Sequence, residues 1–126
     1  MPLTGFIQID SEHEELAGLF NKLYFLIDED NRDDKDISMT LSDIISFTRK
    51  HFIHEEQLMD DISYTKAIGH KAEHLRILNE MQLAIMNWRE KKDFTQLKKE
   101  MLKKIPSWFL EHITKADAPL VRFSKQ

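Results

Sequence analysis

Cysteine is absent from this chain, and glycine and proline are scarce, with three of each. Without cysteine, the chain can form no disulfide, no zinc–thiolate site and no cysteine nucleophile. Few glycines and prolines leave few points at which a helix must stop, which favours an all-helical fold. Long apolar runs are also missing, since no stretch approaches the roughly 18–20 apolar residues of a membrane-spanning helix. We therefore predict a helical protein without a membrane span.

The charges are nearly balanced and are mixed along the sequence. Of the 126 residues, 41% are hydrophobic and 32% are charged, and the net charge is −4. These proportions are ordinary for a globular domain and exclude a disordered chain. No basic stripe offers a surface to nucleic acid or to an anionic membrane, and the first residues lack the pattern of a secretory signal. We expect one domain over residues 1–126, cytoplasmic and monomeric, without a nucleic-acid or membrane partner.

Apolar residues recur at spacings of three and four in four segments, which is the pattern of amphipathic helices. The first helix is predicted to begin near Asp10 or Ser11, because Ser11 and Glu14 match a capping box. It is predicted to end in the polar run of residues 28–36. The third helix is predicted to cover about residues 64–91.

The second and fourth helices complete the set. The second is predicted to begin near Asp36 or Ser38, and the fourth near Asp93, a favourable N-cap residue. Pro106 should kink the fourth helix or mark a local break, and the pair Ala118-Pro119 should force a stop or a new short turn. Four helices with short connections predict an all-α, antiparallel up-down-up-down bundle with a short N-terminal arm and a C-terminal segment.

Five of the six histidines fall on the faces that the pattern predicts to be buried. A helix turns by about 100° per residue, so residues three or four apart share a face. The five are His13, His51, His70, His74 and His112. Glu55 shares the face of His51, and a buried carboxylate is costly unless it is paired or bound to a metal. A single core histidine is more often hydrogen-bonded than metal-bound. Five together would each need a buried partner, which favours a metal site.

The number and type of these side chains favour two ions. A tetrahedral zinc takes four ligands, whereas imidazole and carboxylate donors without thiolate suit iron, with manganese left open. The segment that begins at His54 lacks the second histidine of the zinc-protease motif. No glutamate is followed by histidine three residues later, as ferritin-like di-iron proteins require. We interpret His54 and Glu56 as non-ligands, because both lie off the buried face.

Four blocks of the sequence, in this order, resemble the hemerythrin family and more closely its bacterial members. The blocks are IDSEH at residues 9–13, HFIHEEQLM at 51–59, HKAEH at 70–74 and WFLEHITKAD at 108–117. The likeness runs from about Phe6 to Phe123. One such block would be weak, but four on separate helices are highly specific. The resemblance implies a four-helix bundle with two non-haem iron ions that bind O₂ reversibly.

The resemblance also implies a role for each ligand. It implies three histidines on one iron and two on the other, namely His70, His74 and His112 on the first and His13 and His51 on the second. Glu55 and Asp117 would bridge the two ions together with an oxo or hydroxo group. Asp117 follows from the resemblance alone. It lies five residues beyond His112, off that helical line, and would reach the site if the helix ends or bends there.

The ligand count implies one open position. Three histidines, two bridging carboxylates and a bridging oxygen fill six positions on the first iron, whereas the second iron has five. O₂ is therefore expected on the iron bound by His13 and His51. Phe109 stands near this pocket where many family members have leucine, and is expected either to narrow access or to act as neutral core packing.

Several classes of function remain open from the sequence. The first is O₂ binding for carriage, storage or delivery, since no further acid, base or substrate pocket marks an enzyme. The alternatives are O₂ or redox sensing through a separate partner, and an oxidase, peroxidase or nitric-oxide-reducing activity at the same ions. Iron storage is disfavoured, because seven ligands already saturate two ions and the sequence shows no acidic route to them.

Overall fold

Helices make up nearly all of the structure. The computed structural model describes residues 1–28 and 32–126. Three helices are followed by a longer helical stretch: α1 (Ile7–Asp28), α2 (Asp34–Asp61), α3 (Ala67–Lys91) and α4, the continuous helical residues 94–124. α1 packs against α2, α2 against α3, and α4 against both α3 and α1. This confirms the predicted all-α four-helix bundle, and the described residues include no strand. Within the same residues, no helix combines the length and apolarity that crossing a membrane requires.

The start of α1 differs from the prediction, since the helix begins at Ile7 rather than at Asp10 or Ser11. The prediction of a capping box at Ser11 is wrong, because Ser11 lies inside the helix. The Asp10 carboxylate instead reaches back to the N-terminal arm. It accepts hydrogen bonds from the backbone amides of Thr4 and Gly5, at 2.8 and 3.0 Å, and from the Thr4 hydroxyl at 2.7 Å. These bonds hold the arm against the first turn and allow the helix to start earlier.

Aspartate N-caps fix the starts of α2 and α4. α2 begins at Asp34 rather than at Asp36 or Ser38, because the Asp33 carboxylate accepts hydrogen bonds from two amides of the first turn, at 2.9 and 3.4 Å. An aspartate of the acidic connection therefore caps α2 at an earlier position than predicted. The cap predicted at Asp93 is confirmed, since its carboxylate accepts from a first-turn amide of α4 at 3.1 Å.

α3 begins at Ala67 rather than at Tyr64, which shortens the predicted helix. The residues before it form a turn. Ser63 there has a left-handed φ of 52°, and the Tyr64 amide donates to the Met59 carbonyl at 2.9 Å. A left-handed residue ends α2 and cannot start a helix. The end predicted at Lys91 agrees with the structure.

α4 alternates between two helical forms. Its α-helical segments are Phe94–Leu97, Ile105–His112 and Ala118–Ser124, and its π-helical segments are Lys98–Lys104 and Ile113–Asp117. Each π segment ends just before a proline, Pro106 or Pro119. A proline ring clashes with the carbonyl four residues earlier, and the wider i→i+5 turn relieves that clash. The break predicted at Pro106 is therefore a π segment. Of the two alternatives predicted at Ala118-Pro119, the helix does not stop, and a new short α-helical segment begins at this pair and runs to Ser124.

Antiparallel packing gathers the candidate ligands at one end of the bundle. His13 lies near the start of α1 and His70 near the start of α3, whereas Glu55 lies near the end of α2 and His112 in the second half of α4. The other end is a continuous apolar core that includes Leu23, Leu41, Trp88 and Met101. Beyond the ligands, a smaller apolar cluster of Met59, Tyr64 and Leu120 closes the bundle. The ligand layer therefore lies between two apolar layers.

Candidate metal centre

The structure brings all seven predicted ligands together in two groups that share two carboxylates. The donor atoms within each group lie within 4.8 Å of one another. The first group is Glu55, His70, His74, His112 and Asp117, and the second is His13, His51, Glu55 and Asp117. All seven side chains are buried, with at most 6% of any of them exposed.

The π-helical segment of α4 explains how Asp117 reaches the centre. An α-helix would turn Asp117 away from His112, because five residues advance the chain well past one full turn. The π segment Ile113–Asp117 has a wider turn, which brings residues five apart onto one face. The Asp117 Oδ1 atom consequently lies 3.1 Å from the His112 Nε2 atom and 3.0 Å from the His70 Nε2 atom. This local geometry, invisible to α-helical periodicity, is the bend that the resemblance required.

Several buried donor atoms face the centre without a hydrogen bond. They are His51 Nε2, both Glu55 oxygens and Asp117 Oδ1, and each of them contacts another candidate ligand. The Glu55 oxygens lie 2.9 Å from His74 Nε2 and 3.2 Å from His51 Nε2, but with poor alignment for hydrogen bonding. Native proteins rarely leave buried polar atoms unsatisfied. Atoms that converge on a common point, rather than on each other, fit a bound metal.

The spacing of the imidazole nitrogens also fits an ion. His112 Nε2 lies 3.1 Å from His70 Nε2 and 3.2 Å from His74 Nε2. A first-row divalent ion binds imidazole nitrogen at about 2.0–2.1 Å, so two nitrogens at a right angle around it are about 3 Å apart. A tetrahedral angle would separate them by about 3.4 Å at the same bond length. The observed spacings lie between these two values and are of the size expected for imidazole nitrogens bound to one ion.

Two glutamates outside the predicted ligand set form hydrogen bonds with two of the ligand histidines, on the side of each ring that points away from the centre. His51 Nδ1 donates to Glu12 Oε1 at 2.9 Å, and His74 Nδ1 donates to Glu56 Oε2 at 3.0 Å. Metal-bound histidines commonly donate their second ring N–H to a carboxylate, which fixes the tautomer and the orientation of the ring. Glu56 belongs to neither donor group, as predicted, and about a third of its side chain is exposed.

His54 belongs to neither donor group, as predicted. Its Nδ1 atom lies against Glu12 Oε2, and about a quarter of its side chain is exposed. Helical periodicity carries no signal for the roles of Glu12 and Glu56, since each directly neighbours a candidate ligand in the chain and lies off the face that the pattern predicts to be buried. The requirement that each ligating histidine finds an acceptor was the signal that could have found them.

Buried charges of opposite sign shift the pKa values at the centre. Burial alone would lower the pKa of His51, but its hydrogen bond to Glu12 and the nearby Glu55 carboxylate raise it to about 10. Burial also opposes protonation of His70, yet contacts with Asp117 and Glu55 raise its pKa to about 9. Burial would raise the pKa of Glu55, but the facing imidazoles hold it well below its usual value. Without metal, the carboxylates therefore retain protons on their histidine partners, and an ion would displace those protons.

Aromatic rings cover the side of the centre that faces the apolar core. Phe52 is stacked on His74, with ring centroids 3.8 Å apart, and its ring also lies 5.8 Å from that of His51. Phe109 is fully buried and packs against Phe52 at 6.0 Å and Phe20 at 6.1 Å. Phe109 therefore adjoins the centre through Phe52. Its assignment to an O₂ pocket stays a prediction.

Comparison with known proteins identifies the family. Residues 4–123 match the sequence model of the hemerythrin HHE cation binding domain. The chain belongs to the hemerythrin family. The description of this family as a cation-binding domain agrees with the buried histidine and carboxylate side chains. Together they support a metal site, and the family implies that the metal is iron.

Individual hemerythrins align over most of the chain. A bacteriohemerythrin of Clostridium acetobutylicum is 33% identical over 120 residues, which cover 90% of this chain and 88% of that protein. A hemerythrin of Phascolopsis gouldii is 31% identical over 114 residues, covering 90% and 80%. A bacteriohemerythrin of Pseudomonas aeruginosa is 25% identical over 118 residues, covering 94% and 74%. No solved structure matches the chain significantly.

Proposed function

We propose that this hemerythrin-family chain binds O₂ reversibly at a centre of two iron ions, for carriage, storage or delivery. The proposed ligands are His70, His74 and His112 for one ion and His13 and His51 for the other, with Glu55, Asp117 and an oxo or hydroxo group between them. The observation that carries the proposal is the asymmetry of the donors, since five side chains converge in one group and four in the other, with both carboxylates shared.

This asymmetry supports a place for O₂. Three histidines and the two carboxylates would hold one ion, whereas two histidines and the same carboxylates would hold the other, so the second ion would have fewer protein ligands and room for O₂. O₂ is proposed to bind at this second ion, beside His13 and His51. Two ferrous ions bound by these side chains would supply the electrons that reversible O₂ binding requires. Imidazole and carboxylate donors without thiolate are suitable ligands for iron.

Glu12 and Glu56 are proposed to position one histidine in each group. By accepting the Nδ1–H of His51, Glu12 leaves the Nε2 lone pair of that ring facing the centre. Glu56 does the same for His74. Both glutamates also make their histidines stronger donors, because a carboxylate acceptor raises the basicity of the opposite nitrogen.

The buried aromatic rings are proposed to keep water from the centre. Phe52 and Phe109 are at most 1% exposed. An apolar, dry surrounding removes the water and protons that would turn reversible O₂ binding into oxidation of the iron.

The test is the visible absorption of the iron-loaded, anaerobically reduced protein before O₂, with O₂, and after O₂ is flushed away. We expect a colourless form that gains a charge-transfer band with O₂ and loses it on flushing. Glu55→Gln should bind fewer ions and show no such band, whereas Glu15→Gln, an exposed glutamate on α1, should behave as the wild type. A band that appears and persists would contradict reversible binding and favour a redox enzyme or sensor.

A further inference from the structure

Two candidate ligand histidines are stacked face to face on an aromatic ring. His74 lies on Phe52, with centroids 3.8 Å apart and an interplanar angle of 5°, and His112 lies on Trp108 at 4.4 Å and 17°. Phe52 is 1% exposed and ends inside the core. Trp108 is only half-buried and lines a surface cleft of about 410 Å³. Of these two stacks, that of His112 and Trp108 is the one that connects a candidate ligand with solvent.

The Trp108 ring is held in place by its neighbours. Its indole N–H donates to Glu73 Oε2 at 3.1 Å. The Arg76 guanidinium lies 5.9 Å from the ring centroid and 3.4 Å from the same glutamate. His112 covers one face of the indole, so the cleft exposes part of the remaining ring. A large aromatic side chain fixed on three sides forms a rigid contact between the cleft and the centre.

Solvent approaches the centre from the three-histidine side. Among five surface clefts of the described residues, two are lined by a candidate ligand, one by His112 and its neighbour of about 250 Å³ by His70. None of the five is lined by His13 or His51, where O₂ is proposed to bind. These two clefts therefore meet the three-histidine group rather than His13 and His51.

An O₂-binding iron centre has to be returned to the ferrous form whenever it is oxidised. We propose that Trp108 is the residue through which an external one-electron donor of the reduced-flavin class delivers those electrons, by way of the His112 ring. This inference rests on the proposed function. In each transfer one electron leaves the flavin and reduces one ferric ion, and any proton released by the flavin passes to solvent. Two transfers restore both ions.

The physical basis is distance and contact. The rate of electron transfer falls steeply with the gap between donor and acceptor, and two rings in van der Waals contact bridge part of that gap. A donor at the cleft can touch the edge of Trp108, whose other side touches a candidate ligand. The Phe52–His74 stack offers no comparable route, because Phe52 does not reach the surface. Trp108 contacts the candidate ligand His112 and none of the ions, so it is a positioning residue on the path of the electron.

The test compares the rates at which excess reduced flavin mononucleotide, mixed anaerobically, bleaches the ferric absorption of the iron-loaded protein. Trp108→Leu should slow reduction several-fold, and Trp108→Phe, which keeps a ring, should fall between Trp108→Leu and the wild type. Trp88→Phe, at the buried tryptophan of the apolar end, should match the wild type. The reduction potential should be the same in all four proteins, because the ligands are unchanged.

A second readout needs no iron and no O₂. The chain has two tryptophans, so Trp108 is the remaining one in Trp88→Phe. Loading this variant with Co²⁺ should quench its fluorescence strongly, because the indole touches a proposed ligand. Absence of quenching in a protein that binds Co²⁺ would overturn the contact on which the route depends.

The outcomes separate the two proposals. Wild-type reduction rates in Trp108→Leu, at equal iron content, would overturn the role of Trp108 and leave the proposed centre intact. Slower reduction explained by a shifted potential would overturn it as well, since it would show an effect on the ions rather than on the route. If neither the wild type nor any variant develops ferric absorption, the proposal of a di-iron centre is wrong. The inference about Trp108 then fails with it.

Discussion

The two ends of the bundle are stabilised by different means. At the apolar end, Leu23, Leu41 and Trp88 are at most 1% exposed and pack in one continuous core. Burial of such side chains stabilises the fold by roughly 1.5–3 kcal/mol each. At the ligand end, five histidines and two carboxylates occupy the equivalent layer. Buried ionisable groups cost free energy unless they are paired or bind metal.

This difference shows how the fold and the function are divided along the helices. The apolar end can form by burial alone, so it provides a scaffold whether or not an ion is present. The ligand end has buried polar atoms that face the centre without a hydrogen bond, and it gains its full stability when ions satisfy them.

The largest effect is expected from Glu55, which both donor groups share. Glu55→Gln keeps the volume but cannot supply two anionic oxygens, so binding of two ions should be lost. Metal stabilises the wild type by about 4 kcal/mol when its free concentration is about 1,000 times Kd, and the variant should lose most of this gain. Metal stoichiometry and thermal unfolding with and without metal provide the measurement. Two ions per chain in Glu55→Gln would rule out the shared carboxylate.

A substitution at the apolar end should act whether or not metal is present. Leu41 is fully buried in the large core, so Leu41→Ala should lower the free energy of unfolding by about 2–5 kcal/mol. Because Leu41 is remote from the donors, the apo and metal-loaded proteins should lose the same amount, and the metal content should not change. Denaturant unfolding of both forms measures this. A loss confined to the loaded form would show that the two ends are coupled.

The two outer glutamates allow the halves of the centre to be weakened separately. Glu12→Gln should weaken the ion beside His51 and Glu56→Gln the ion beside His74, each by about 10–100-fold in affinity, or about 1.4–2.8 kcal/mol. Stepwise Co²⁺ titration should show one weakened site and one unchanged site in each variant. Equal weakening of both sites by either variant would contradict the assignment of one glutamate to each half.

Much of this architecture could be predicted from hydrophobic periodicity. Spacings of three and four residues predicted the four helices and placed His51 and Glu55 on one buried face, because both lie in a regular α-helix. Asp117 could not be placed in this way. It lies in a π-helical turn, and α-helical phase assigns it to another face.

Hydrophobic periodicity also could not predict features that depend on individual hydrogen bonds. The start of α1 depends on the bonds from Thr4 to Asp10, which link residues six apart outside any helical register. The start of α2 depends on which aspartate of an acidic run becomes the cap. Glu12 contacts His51 across 39 residues of sequence, a pairing that follows from the packing of α1 on α2.

The smallest effect is expected from pH, and it again separates the two ends. In the metal-free protein the pKa of His51 is raised to about 10 and that of His70 to about 9, from 6.5 in the unfolded chain. Protonation of these rings therefore stabilises the fold fully below pH 6.5, and this contribution is lost as the pH rises towards 10. The apo protein should melt at progressively lower temperature over this range.

Metal should flatten this pH dependence, because ions replace the protons at the same nitrogens. Leu41→Ala should shift the apo curve downwards without changing its shape, since the apolar end contains no titrating partner of these histidines. Glu12→Gln should reduce the slope, because Glu12 is a main cause of the raised pKa of His51. Melting temperatures of the apo protein measured from pH 6.5 to 9.5 test this. A constant value would show that the carboxylates do not keep these histidines protonated, and the stability of the ligand end would then have to come from packing, as at the apolar end.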